Sequence, residues 1–212
     1  MAELTGTGRL ADDLYLMAHH EVTGKPLLQP RAVGLGLAGA LLAELVLSDH
    51  IRVGPDGITV VYFAPPTDEL ARKALGLVTR EGEDHTVREW LLYIGRTAAE
   101  DVARRLERHG YLARRGSRWR GTRWVPVDAD NAFAPLLRAR SALDLSRPVT
   151  VHSAVLVGLV TACGLGFRLA QYGPPRTIRS VEQVVAQLGP GPRELIAQTQ
   201  AAVDGALLAH RV

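Results

Sequence analysis

Residues Arg31 to Leu47 read RAVGLGLAGALLAELVL, and Arg31 and Glu44 are the only charged members of the run. Gln29-Pro30 makes a turn-forming entry and Ser48-Asp49-His50 a polar exit. A helix apolar on almost every side belongs in the centre of a bundle, because none of its faces favours water. Gly34, Gly36, Gly39 and Ala40 lower its intrinsic helicity, yet their small size lets neighbouring helices approach closely. Packing must then supply what propensity does not. The run is short for a membrane span and carries charge toward both ends, so a buried core helix is expected, with a re-entrant or interfacial segment as the alternative.

The 212 residues suffice for one sizeable core, expected as one domain over 1–212, with two closely packed subdomains as the alternative. Three Phe, five Tyr and three Trp leave most of the core to Leu, Val and Ala, the composition of packed helices. The formal charge is only +3, but the pI of about 9.3 and the concentration of Arg in the middle point to an acidic partner. Cys163 is alone, cannot form an internal disulfide, and is expected as a small buried side chain. The start, MAELTGTGRLADDLY, lacks the basic and continuous apolar regions of a secretion signal. A cytoplasmic location is expected, with peripheral attachment to the inner face of the plasma membrane left open.

Leu10, Leu14 and Met17 follow helical spacing, with Asp12 and Asp13 near the helix start where acids are favoured. His19 and His20 are adjacent and do not face one another on a helix, so solvated or capping roles outweigh metal binding. Ile51-Arg52-Val53 and Ile58 to Tyr62 flank Gly54-Pro55-Asp56-Gly57, which predicts a small antiparallel hairpin. Thr67-Asp68-Glu69 predicts the cap of a helix to about Val78. Thr86 with Glu89, and Thr97 with Glu100, have capping-box spacing. They predict a short helix over Val87 to Ile94 and a firmer one over Ala98 to His109. The second should bury Ala99, Val102, Ala103 and Leu106 and turn Arg104, Arg105 and Arg108 outward.

Gly110 stops that helix, and Tyr111-Leu112-Ala113 opens a second hairpin with its tip around Gly116 to Gly121. Arg114, Arg115, Arg118, Arg120 and Arg123 combine there with Trp119 and Trp124. From Arg104 through Trp124 there are eight Arg and one acid, Glu107, so this second helix-and-hairpin unit is intensely basic where the first is nearly neutral. Arg forks make charge-assisted hydrogen bonds to phosphate, and Trp suits the membrane interface. Beyond it, Asn131 to Leu145 predicts a short helix with Phe133, Leu136 and Leu137 inward, and Val151 to Leu169 a second core helix. A turn at Tyr172 to Pro175 then leads to helices over Ser180 to Leu188 and Pro192 to Ala209, separated by Gly189-Pro190-Gly191.

Taken in order, LADDLYLMAHHEVTGK, GLGLAGALLAELVLSDHIRV, VARRLERHGYL and VHSAVLVGLVTACGL resemble the Golgi phosphoprotein 3-like family, specifically a bacterial member, over nearly the whole chain. The resemblance implies a mainly α fold: a compact helical domain with a central bundle, peripheral β-hairpins and a membrane-facing basic surface. Eukaryotic members look like phosphatidylinositol 4-phosphate readers and adaptors that retain Golgi enzymes. Their headgroup positions correspond here to Gln29, Ala38, Arg96 and Ala99, and Arg96 alone keeps the family identity. The implied function is a non-enzymatic, peripheral membrane-binding or adaptor protein. Its expected lipid-binding set is Arg96, Arg114, Arg115, Arg118, Trp119, Arg120, Arg123 and Trp124. The expected partner is an anionic phospholipid or phosphoinositide-like headgroup, recognised more broadly than by a dedicated phosphatidylinositol 4-phosphate reader. Protein cargo and a second copy of the chain are further expected partners, with no cofactor and no metal.

A winged-helix nucleic-acid-binding protein is the competing reading, with Arg104 or Arg105 near a groove and Arg118 or Arg120 on phosphate. The sequence holds no dinucleotide fingerprint, P-loop, HExxH motif or thiol pair, which weighs against the familiar enzyme classes.

Overall fold

The computed structural model describes residues 7–62, 64–81, 85–117, 121–144, 147–170 and 180–209. Helix α1 (Leu10–Met17) leads to α2 (Pro30–Leu47), the hairpin β1 (Ile51–Gly54) and β2 (Gly57–Val60), and α3 (Glu69–Glu81). Then come α4 (Val87–Gly95), α5 (Ala98–Arg108) and a second hairpin, β3 (Leu112–Ser117) with β4 (Gly121–Pro126). The chain continues through α6 (Ala129–Ser141), α7 (Val151–Ala162), α8 (Gly166–Ala170), α9 (Val181–Val185) and α10 (Pro190–Leu208). The fold is mainly α, and each of the two small antiparallel sheets among the described residues is a single hairpin.

The expected core helix is α2. Every residue from Ala32 through Ala43 is buried, as is Leu45, and α1, α4, α5, α7 and α10 pack around it. By length and composition α2 is apolar enough to cross a membrane, but its surface is given to these neighbours. Pro30 opens its first turn. The helix ends where Asp49 turns left-handed at φ 57°, with the His50 amide donating back to the Leu45 carbonyl at 2.9 Å. Its glycines mark the close approaches. A Cβ on Gly34 would overlap the Gly95 carbonyl oxygen, and one on Gly36 would overlap Cys163. Gly39 lies against Thr199 and Leu159. The pairings of Gly36 with Cys163 and Gly39 with Leu159 make α7 antiparallel to α2. Those of Gly39 with Thr199, and of Gly191 with Val53, do the same for α10. One end of the bundle therefore collects the start of α2 with the ends of α1, α7 and α10.

Several local expectations shift. The second apolar run is two helices, because Gly164 adopts φ +85° and the Leu165 amide returns to the Val160 carbonyl, closing α7 before α8 begins. Thr86 and Glu89 form the expected capping box, whereas the Thr97 hydroxyl donates to Asp101 and accepts from no backbone amide. Asp68 caps α3 by accepting from the Leu70 and Ala71 amides, and the helix runs past Val78 to Glu81. In α6, Leu136 is buried and Phe133 half-buried, but Leu137 is exposed, since it follows Leu136 on the outer side of the turn. Pro190, expected between helices, starts α10, where a missing N–H costs nothing. The expected turn at Tyr172 to Pro175 lies outside the described residues.

Candidate functional site

The second hairpin pairs Leu112 with Pro126, Arg114 with Trp124, and Arg115 with Arg123. Directly opposed residues share a face and neighbours along a strand alternate, so the arginines divide between two faces. Arg114 is on the same face as buried Leu112. Its guanidinium lies 4.4 Å from the Trp124 ring centroid and 3.8 Å from Glu107 on α5, so its charge is already answered. Arg115 and Arg123 occupy the other face, are both exposed, and carry no ion pair among the described residues. Arg118, Trp119 and Arg120 lie outside the described residues.

Arg96 belongs to a separate patch. It caps the C-terminal end of α4, exposed, with its guanidinium 5.9 Å from the Tyr93 ring centroid. Together with His85, Glu89, Trp90, Leu92 and Tyr93 it lines an open cavity of about 360 Å³. The Gly34–Gly95 approach fixes this junction against the start of α2, and Gly24 in the α1–α2 connection abuts the Trp124 carbonyl of the hairpin. Both basic patches thus border the same end of the bundle. Among the other positions implied by resemblance, Ala38 is fully buried, Ala99 is half-buried and Gln29 is exposed at the start of α2.

The largest departure from expectation is Arg105. It was expected to face outward, yet it is only 1% exposed. Its Nε donates to Asp12 Oδ1 at 2.7 Å, its Nη1 donates to Asp68 Oδ1 at 2.8 Å, and its Nη2 lies 3.4 Å from Glu44 Oε1. Glu44 also accepts from the Ala11 amide at 2.9 Å. One guanidinium therefore ties α1, α2 and the start of α3 to α5. Asp12 and Asp13 lie in the first turn of α1, as expected of helix-start acids, and both are buried. Asp13 accepts from Arg138 at 2.7 Å and faces His152 at 3.5 Å. Burial pushes the Asp12 carboxyl up to about 7 in spite of Arg105, and one of its oxygens has no hydrogen-bond partner. Burial also raises Glu44, while the Ala71 amide and Arg105 overcome burial to hold Asp68 below its usual range. Three carboxylates outweigh burial to raise Arg105 further, so it is permanently charged.

This network removes a premise of the nucleic-acid reading, since Arg105 cannot enter a groove and Arg104 is paired with Glu100 at 2.8 Å. The adjacent histidines also separate. His19, expected as solvated or capping, is buried, stacked on Tyr15 at 4.0 Å, with Nδ1 2.7 Å from the Tyr15 carbonyl; burial lowers its pKa. His20 accepts from the Val22 and Thr23 amides in the turn. Among the described residues no group of three His, Cys, Asp or Glu side chains is arranged to hold a metal ion. Cys163 is buried as expected, with burial pushing its thiol up to about 12.

A helical bundle organised on an apolar central helix, with a basic hairpin and an exposed arginine at one end, defines a mainly α fold with exposed arginines on its second hairpin and at the end of α4. The family model for Golgi phosphoprotein 3 (GPP34) matches residues 10–204, and the chain belongs to that family. Membership is consistent with a non-enzymatic lipid-binding or adaptor role. Among curated proteins, none matches the chain.

Proposed function

We propose that the chain is a peripheral membrane-binding adaptor that holds anionic lipid phosphates through the outer face of its basic hairpin. The observation that carries this reading is the Arg115–Arg123 pair, exposed and without an ion pair among the described residues. Like charges directly opposite across two strands repel, so the pair costs the hairpin stability on its own. A phosphate between them removes the repulsion and accepts from both forks. In the sequence between β3 and β4, Arg118 and Arg120 add charge and Trp119 an aromatic side chain suited to the membrane interface, while Trp124 stays on the inner face under Arg114. Arg96, with the apolar cavity beside it, is the second contact, and Arg114 braces the hairpin through Trp124 and Glu107.

Each cation near an anionic bilayer contributes on the order of 1 kcal/mol, reduced by salt, so several together give reversible attachment without a lipid anchor. The matching surface is an anionic cytoplasmic leaflet. Headgroup recognition is broad, because buried Ala38 and half-buried Ala99 offer no charge at positions where resemblance implies arginine. Protein cargo is the partner of the adaptor role.

Flotation with neutral and anionic liposomes at low and high salt tests this reading, using the intact chain and a variant with Arg115, Arg118, Arg120 and Arg123 each changed to Gln. Binding is expected on anionic liposomes only, weakening with salt and by about tenfold or more in the variant. Equal binding to neutral and anionic liposomes, unaffected by salt, contradicts it.

A further inference from the structure

Exposed apolar side chains are ordinary when scattered and informative when they gather on touching segments. Val22 and Leu27 in the α1–α2 connection, and Phe167 on α8, gather in this way. Arg168, next to Phe167, donates to the Met17 carbonyl at 2.8 Å and to the Glu21 carboxylate at 3.2 Å, which seats α8 against the residues just before Val22. On the other side of the same connection Gly24 abuts Trp124, and the hairpin begins. Lys25 and Arg31 stand exposed among these side chains, without an ion pair among the described residues, while the nearby acid, Glu21, is taken by Arg168. Tyr93 and Arg96 continue the patch across the Gly34–Gly95 approach.

The opposite end of α7 gives the contrast. Val151 is 56% exposed against 60% for Phe167, so exposure alone does not separate them. Around Val151, however, His152 faces buried Asp13 and borders a groove that Glu44 and Asp68 also line. One end combines apolar side chains with cations that have no ion pair among the described residues, and the other combines them with charges already matched to one another, Glu44 and Asp68 by Arg105 and Asp13 by Arg138.

We infer that the end of the bundle formed by the α1–α2 connection and α8 enters the interface of an anionic bilayer, with Val22, Leu27 and Phe167 as shallow apolar insertions and Lys25 and Arg31 among the headgroups. This rests on the membrane reading above and adds to it a second, apolar contact outside the hairpin. The charge complementarity selects the occupant: unpaired cations around apolar side chains match anionic headgroups over acyl chains.

The test uses the full chain and vesicles of phosphatidylcholine with phosphatidylglycerol. Cys163 is the sole cysteine and is buried, so a cysteine introduced as Phe167→Cys or Val151→Cys takes an environment-sensitive fluorophore selectively. The probe at 167 is expected to shift to an apolar signal on these vesicles, and the probe at 151 to keep its aqueous signal. Val22→Glu with Phe167→Glu is expected to weaken binding about tenfold or more with thermal unfolding unchanged, while Val151→Glu binds as the unaltered chain does. Vesicle binding by the unaltered chain, with an aqueous signal at 167 and full binding by Val22→Glu with Phe167→Glu, overturns this inference and leaves the hairpin reading standing. Failure of the unaltered chain to bind the vesicles overturns both. A shift at 167 that grows with protein concentration and needs no vesicles assigns the face to a second copy of the chain and overturns the inference.

Discussion

Arg105 and the Arg115–Arg123 pair come from one basic run, yet they do opposite things. Arg105 is enclosed and answered by three carboxylates on three other segments. Arg115 and Arg123 are exposed directly opposite each other, with no ion pair to a carboxylate among the described residues. A charge taken out of water must find its partners within the fold, whereas an exposed charge is free to find them outside it. The same residue type therefore organises the bundle at one position and is available to a ligand at the other. Charge density along the sequence does not distinguish the two.

The largest expected effect follows from breaking the enclosed side of this contrast. Arg105→Met keeps volume but leaves Asp12, Glu44 and Asp68 without their cation, and is expected to cost roughly 3–5 kcal/mol in chemical denaturation. A loss below about 1 kcal/mol removes Arg105 from its organising role.

A smaller effect comes from titration. The folded state holds Asp12 at about 7, above its ordinary value, so folding favours the protonated form and Asp12 lowers stability as pH rises from about 4 through 7. Asp12→Asn lacks this titration. The stability of the unaltered chain relative to Asp12→Asn should thus increase as pH falls across that window, by on the order of 1–3 kcal/mol in paired unfolding curves. A constant difference across the window denies the burial effect. The smallest effect belongs to the exposed side: Arg115→Gln with Arg123→Gln should leave stability within about 0.5 kcal/mol, or raise it slightly by removing the cross-strand repulsion.

Much of this arrangement was legible in the sequence. The apolar run at α2, the Gly-Pro-Asp-Gly turn, the Thr86–Glu89 box and the Gly110 stop each encode local geometry, and local geometry is what spacing reports. Arg105 was legible only by combining signals. Ala98, Val102 and Arg105 fall at helical spacing on one stripe, which puts Arg105 on the buried face, while its charge argues for water. The deciding hint was remote: Glu44 inside an apolar run and Asp12-Asp13 inside an apolar helix each demand a cation from elsewhere in the chain. Which cation meets them depends on how α5 crosses α1 and α2, and no spacing within a segment encodes that crossing. The hairpin's division into two faces was illegible for a related reason, since it depends on the register between strands. Thr97 shows the reverse failure, a correct capping pattern whose hydroxyl is drawn to Asp101.

The most direct measurement of the central claim is the salt dependence of vesicle binding for the unaltered chain and for Arg115→Gln with Arg123→Gln, on one anionic lipid composition. If this pair is the free cationic face, binding falls steeply as salt rises from about 50 to 200 mM, and the double substitution weakens low-salt affinity and flattens that dependence without altering the unfolding curve. An unchanged affinity and an unchanged salt dependence in the double variant would contradict the account, because the lipid phosphates would then be held by other residues.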